Sequence, residues 1–204
     1  MPILTQEFFT RPTLTVARKL LGQHLVRDLD GQRLSGIVVE TEAYVGPDDT
    51  ASHASKGRTP RNSIMFGAAG SAYVYLIYGM YSMLNVTTEH VDFPAAILIR
   101  AIEPLTGLET MQAQRQKANR PPPKLVNLTN GPGKLCQALA IDHRLNHHPL
   151  TVGRHLWFEP GRPIPDQAVA TGPRVGIDYA TPEYVAAPWR FWVKGNRFVS
   201  KPNS

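Results

Sequence analysis

The stretch HLVRDLDGQRLSGIVVETEAYV, residues 24–45, constrains the fold of this chain more than any other. It reads as two strands joined around Asp30-Gly31, a dipeptide that tolerates the backbone of a tight hairpin turn. Before it, the spacing predicts a first helix over 13–21, with Leu14, Ala17, Leu20 and Leu21 on one side and Gly22 just past its end. After it, residues 46–70 read as a long loop, and loops of that length in compact domains tend to be functional or disordered. A second hairpin is expected over about 71–87. AAILIRAIEPL reads as a buried strand because it is apolar almost throughout. LTGLETMQAQRQKAN looks helical and is ended by the prolines at 121–123. A short helix is expected near Pro132, and WRFWVKGNRFVS reads as a final hairpin turning at Gly195-Asn196. There are no repeats and no linker. Strands that alternate with few helices indicate an α+β domain over 1–204, with a mostly antiparallel, curved sheet and a protruding hairpin.

Composition enters through charge. The chain carries 22 Lys plus Arg against 16 Asp plus Glu. Half of those cations fall in three stretches without an acid: Lys56, Arg58 and Arg61; Arg115, Lys117, Arg120 and Lys124; and Arg190, Lys194, Arg197 and Lys201. Solvated surfaces usually mix signs, so a polyanionic partner is expected. The single cysteine, Cys136, excludes a disulfide framework and a cysteine-rich zinc site, and reads as a small buried hydrophobe. No histidine pattern supports a metal, and no cofactor is expected. With no signal peptide and no apolar run near membrane length, the reading is cytosolic. No feature calls for an oligomer, so a monomer is expected.

Two features carry chemistry. In GIVVETEAYV, strand alternation puts Val38, Glu40, Glu42 and Tyr44 on one face. Carboxylates among apolar residues are either solvated or paired, or one is a general base tuned by its enclosure. Arg100 ends the apolar run AAILIR and needs an anion there, for which a glutamate on a neighbouring strand is the natural partner. The second feature is YVYLIYGMY, residues 73–81, which holds four of the seven tyrosines. Tyr73 and Tyr75 share a strand face, whereas Tyr78 falls at the Tyr78-Gly79 turn, where no core residue belongs. Against simple core filling, two further uses fit these rings: stacking on unpaired bases, or a tip ring wedged into a duplex, with Tyr44 and Tyr75, on paired strands, as candidate walls for an extruded base. NGPGKL at 130–135 lacks the spacing of a triphosphate loop, though Lys134 and the helix start suit one backbone phosphate.

These segments, in this order, resemble a known family. ETEAY at 40–44, Gly46-Pro47, His53, RTPRN at 58–62, Met65-Phe66, YVY at 73–75, YGMY at 78–81 and Asn85 are followed by Leu98 to Pro104, GLE at 107–109, Gly131-Pro132, KLCQAL at 134–139 and RVG at 174–176. Together they resemble the alkyladenine (3-methyladenine) DNA glycosylases of the mammalian type over roughly residues 10–200, a bare catalytic domain. The resemblance implies excision of damaged purines from double-stranded DNA, without strand cleavage. It makes Glu42 the base that activates water, with Arg100 and the Val175 carbonyl positioning that water. Tyr44, His53, Tyr75 and Asn85 become the base pocket, with the backbone N–H at His53 donating to the purine and Asn85 excluding guanine. Tyr78 becomes the wedge, supported by Met80 and Tyr81, while Arg58, Arg61 and Lys134 hold the DNA backbone. The loop at 53–62 is one residue shorter than in the animal enzymes, and 86–96 also differs, so lesion range is less fixed than reaction type. Two rivals remain at this point: a binding module without catalysis and a hydrolase of small nucleosides.

Overall fold

In the computed structural model, which describes residues 2–200, the Asp30-Gly31 pair turns the chain as expected. Both residues have positive φ, 52° and 84°, and the Gly31 N–H donates to Asp28 Oδ1 at 2.9 Å. Strands β1 (His24–Leu29) and β2 (Gln32–Val45) therefore pair from Leu29 opposite Gln32. β2 is long enough to serve three neighbours. One edge pairs along β5 (Ala95–Thr106); the other pairs first with β1 and then with β8 (Arg190–Val193).

The sheet is completed by β3 (Ala72–Ile77), β4 (Tyr81–Thr87), β6 (Leu156–Glu159) and β7 (Val169–Gly172). The path is β3-β4-β5-β2-β1-β6, with β7 on β8 and β8 on β2, and every pairing is antiparallel. Among the described residues, five α-helices accompany it: α1 (Gln6–Phe9), α2 (Thr13–Leu20), α3 (Leu108–Arg115), α4 (Pro132–Ala138) and α5 (Pro182–Ala186). The α+β architecture with an antiparallel sheet is as read from sequence, and the sheet is open. No helix among the described residues is long and apolar enough to cross a membrane.

Four local expectations are corrected. Leu14 faces solvent, and Val16 takes its place beside Ala17 and Leu20 in the core. WRFWVKGNRFVS is not a hairpin: the segment after Gly195 forms no strand, and β8 pairs instead with β2 and β7. Arg190 is accordingly buried, 2% exposed, so it is no part of a surface patch. Lys201, from the same stretch, lies outside the described residues.

The fourth correction shapes the site. Val38 does not share a face with Glu40. Val38, Thr41 and Ala43 face the main core, where the Thr41 hydroxyl donates to the Ala17 carbonyl of α2 at 2.9 Å. The cause is a pair of opposed register shifts: Val38 faces Ile102, Glu40 faces Ala101 and Thr41 faces Ile99. Val39 is the extra residue on β2 and Arg100 the extra residue on β5. A bulge re-aims side chains that strict alternation would send elsewhere, and here it lets Arg100 reach Glu40 and Glu42 together.

Candidate active site

Glu42 is fully buried in the second half of β2. Its Oε1 accepts from the Val175 N–H at 2.7 Å and lies 3.2 Å from Arg100 Nη1. Its Oε2 accepts from the Tyr44 hydroxyl at 3.0 Å. Loss of water pushes the carboxyl above its usual range, while Arg100, the Val175 N–H and the Tyr44 hydroxyl pull it back. Val175 thus meets Glu42 through its N–H, a contact the sequence reading did not contain.

Glu40, also fully buried, accepts from Arg100 Nε at 2.9 Å and from the Ser200 N–H at 2.6 Å, with Arg190 Nη1 at 3.8 Å. The two glutamates therefore differ in kind. Glu40 is enclosed by cations and a backbone donor, whereas Glu42 carries one cation and two lighter donors. Arg100 joins them.

A cavity opens beside this cluster, lined by Tyr44, His53, Tyr73, Tyr75, Asn85 and Tyr179 among others. Glu42 does not line it; Tyr44 stands between, one hydrogen bond from the carboxylate. Tyr44 and Tyr75 sit on β2 and β3, which are not paired, since β4 and β5 lie between them. They approach across the sheet rather than as neighbours. The His53 Nδ1 is 2.8 Å from the Tyr73 hydroxyl, and its ring meets Tyr75 edge-on at 4.6 Å. Burial and the Arg61 charge lower the His53 pKa, which favours the neutral ring. Asn85 is buried and donates to the Tyr73 carbonyl at 3.2 Å.

β3 and β4 form the projecting hairpin. Tyr78 has φ +52°, Gly79 has φ +67°, and the Met80 N–H returns to the Ile77 carbonyl at 3.1 Å. A tyrosine in left-handed backbone is uncommon and costs energy, and this one is 83% exposed, so nothing in the fold repays it. Met80 and Tyr81 are also exposed. Tyr81 packs against Gly133 of α4, where an added Cβ would lie 3.3 Å from it.

The cations divide. Arg61 lies 5.2 Å over the Tyr75 ring, and Arg58 sits over Phe66 and 3.8 Å from Asp92. Lys134 is elsewhere: with Arg115 and Lys117 it lines a groove on the α4 side of the hairpin, beside Met80 and Tyr81. Its Nζ donates to Asn130 Oδ1 at 2.7 Å.

Two supports were missed from sequence. Arg174 and Asp49 form a wholly buried bidentate pair at 2.6 and 2.8 Å, and Arg174 also donates to the Ala43 carbonyl and lies over the Tyr44 ring. Asp49 accepts the Val45 and Ala51 N–H groups. One pair thereby anchors both the loop leading to His53 and the segment that presents Val175. Arg174 opens the matching RVG motif, but Asp49 falls between the matching motifs, and nothing in the local pattern joins positions 49 and 174.

The site joins a desolvated carboxylate and an aromatic cavity to a tyrosine-tipped hairpin and surface cations, and comparison with known sequences gives the class: the chain is a DNA glycosylase. A family model described as methylpurine-DNA glycosylase matches residues 7–197. A Methanocella arvoryzae protein is 49% identical over 98% of this chain and 97% of its own length. A Myxococcus xanthus protein is 48% identical over 97% and 93%, and a Bacillus cereus protein 49% identical over 95% and 97%. All three bear the name "Putative 3-methyladenine DNA glycosylase". The chain belongs to the methylpurine-DNA glycosylase family.

Proposed function

We propose that the protein extrudes damaged purines of the 3-methyladenine, 7-methylguanine, hypoxanthine and ethenoadenine type from duplex DNA and hydrolyses the N-glycosidic bond, leaving an abasic site. The observation that carries this reading is Glu42: fully buried, raised in pKa, and tied by Tyr44 to an aromatic cavity. A binder of phosphates gains nothing from such a carboxylate, which would repel its ligand.

A carboxylate offers about four acceptor positions. Val175, Arg100 and Tyr44 engage three, and the fourth, on Oε2, serves a water to be deprotonated. Arg100 and the Val175 carbonyl position that water. As the bond breaks, positive charge builds on the sugar, and the ionised Glu42 stabilises it. An alkylated purine that already carries positive charge departs as a neutral base without help, whereas a neutral lesion such as hypoxanthine must gain a proton as it departs. Tyr44 and Tyr75 stack on the extruded base, the backbone N–H of His53 donates to it, and the Asn85 amide excludes the 2-amino group of guanine. Tyr78 fills the gap in the duplex, braced by Met80 and Tyr81. Arg58, Arg61 and Lys134 contact phosphates.

Single-turnover excision from duplexes carrying one hypoxanthine, ethenoadenine or 3-methyladenine tests the reading, with wild type and Glu42→Gln compared without added metal. Base release by wild type alone, from an intact strand, is expected. Binding by both proteins with release by neither would leave a non-catalytic DNA-binding module.

A further inference from the structure

Tyr179 belongs to no segment that sequence reasoning singled out, yet it lines the same cavity as Tyr44, His53 and Tyr75. The chain brings it there by a turn. Gly176 has φ +75°, Ile177 is buried as an anchor, and the Ala180 N–H returns to the Ile177 carbonyl at 2.9 Å, leaving Asp178 and Tyr179 at the turn's centre. Tyr179 is 70% exposed, so its ring stands at the mouth of the cavity rather than in its floor. A large ring at a turn, mostly in water, contributes little to the core.

Its hydroxyl is nevertheless committed. It donates to the Ala51 carbonyl at 3.0 Å, two residues before His53. Nearby, the Thr181 N–H donates to Thr50 Oγ1 at 2.9 Å, and the Thr50 and Thr181 hydroxyls meet at 3.0 Å. These exposed links run parallel to the buried Arg174–Asp49 pair, between the loop carrying His53 and the segment carrying Val175.

We propose that Tyr179 is a specificity-determining wall of the base pocket: its ring covers the outer edge of the extruded purine, and its bond to Ala51 sets how far the mouth opens. The proposal rests on the reading of this cavity as a base pocket. A ring fixed at the rim discriminates by the shape of the base edge it covers. A purine enlarged by a fused etheno ring meets that wall differently from hypoxanthine, and undamaged DNA, whose bases stay stacked, does not meet it at all.

The test compares wild type, Tyr179→Phe, Tyr179→Leu and Tyr179→Ala in single-turnover excision and in binding to duplexes carrying ethenoadenine, hypoxanthine or no lesion. Loss of the ring should weaken lesion binding by about tenfold or more, as loss of base–aromatic stacking does. The loss should differ between the two lesions and leave binding to undamaged duplex unchanged. Tyr179→Phe should recover most of the affinity, with a residual loss of about two- to threefold for the missing, largely exposed hydrogen bond. Equal weakening on damaged and undamaged duplex, or an unchanged ratio between the lesions in all variants, overturns the proposal. Should Tyr179→Ala fail to fold, the leucine variant decides by the same criteria. Absence of base release by wild type overturns the pocket reading itself, and is distinguishable because it precedes any variant.

Discussion

The Val175 N–H donates to Glu42 Oε1 at 2.7 Å, across 133 residues of chain. The contact takes up one lone pair of the carboxylate, and it is delivered by a segment that the buried Arg174–Asp49 pair holds in place. The geometry at Glu42 thus depends on an ion pair that does not itself line the cavity.

The two glutamates of β2 should respond oppositely to neutralisation. Glu40→Gln removes an anion that faces both Arg100 and Arg190 inside the protein, and breaking a buried pair from one side typically costs about 3–5 kcal/mol. Glu42→Gln removes a charge that burial disfavours, so stability should hold or rise while excision is lost. Urea unfolding of both variants checks this; a larger stability loss in Glu42→Gln would contradict it.

Excision should show an acid limb above the ordinary carboxyl value of 4.5, because the reaction needs ionised Glu42 and burial raises its pKa. The sign for stability is opposite. Folded protein binds the Glu42 proton more tightly than the unfolded chain does, so this group's contribution to stability falls as pH rises from 4.5 through the raised value. Tyr44→Phe removes a hydrogen bond to the ionised form and should move the limb further up. Single-turnover rates against pH for both proteins decide it, and a limb that does not move in Tyr44→Phe speaks against Glu42 as the titrating group.

Tyr78→Gly should separate folding from function. Glycine adopts φ +52° without the penalty a tyrosine carries, so unfolding free energy should rise by up to about 1 kcal/mol. Affinity for lesion-bearing duplex should fall in the same variant. Unchanged lesion affinity would remove the wedge role, whatever happens to stability.

Salt titration of duplex binding should sort the cations. Arg58→Ala and Lys134→Ala should each weaken binding to all duplexes and lower the salt slope by about one. Arg190→Ala should instead lower stability, because Arg190 is buried against Glu40. A salt slope altered by Arg190→Ala alone would reverse that assignment.

What the sequence made legible was local. The Asp30-Gly31 turn, the tip at Tyr78-Gly79 and the apolar run ending at Arg100 are each written in a few adjacent residues. The missing parts are pairings between distant segments. Strict alternation put Val38 beside Glu40 because a bulge at Val39 leaves no mark in composition. Arg190 looked like a surface cation because its partner, Glu40, lies on a strand 150 positions earlier. Tyr179 had no local pattern at all, since it reaches the cavity through a turn beyond Gly176.

β4 pairs with β5 over Asn85, Val86 and Thr87, and the hairpin beyond pairs with itself. Its root, where Tyr73 faces Asn85, is braced by a third strand; its tip is not. The tip at Tyr78 therefore stands on two strands alone, while the cavity side chains Tyr73 and Asn85 sit where β5 makes the hairpin part of a wider sheet.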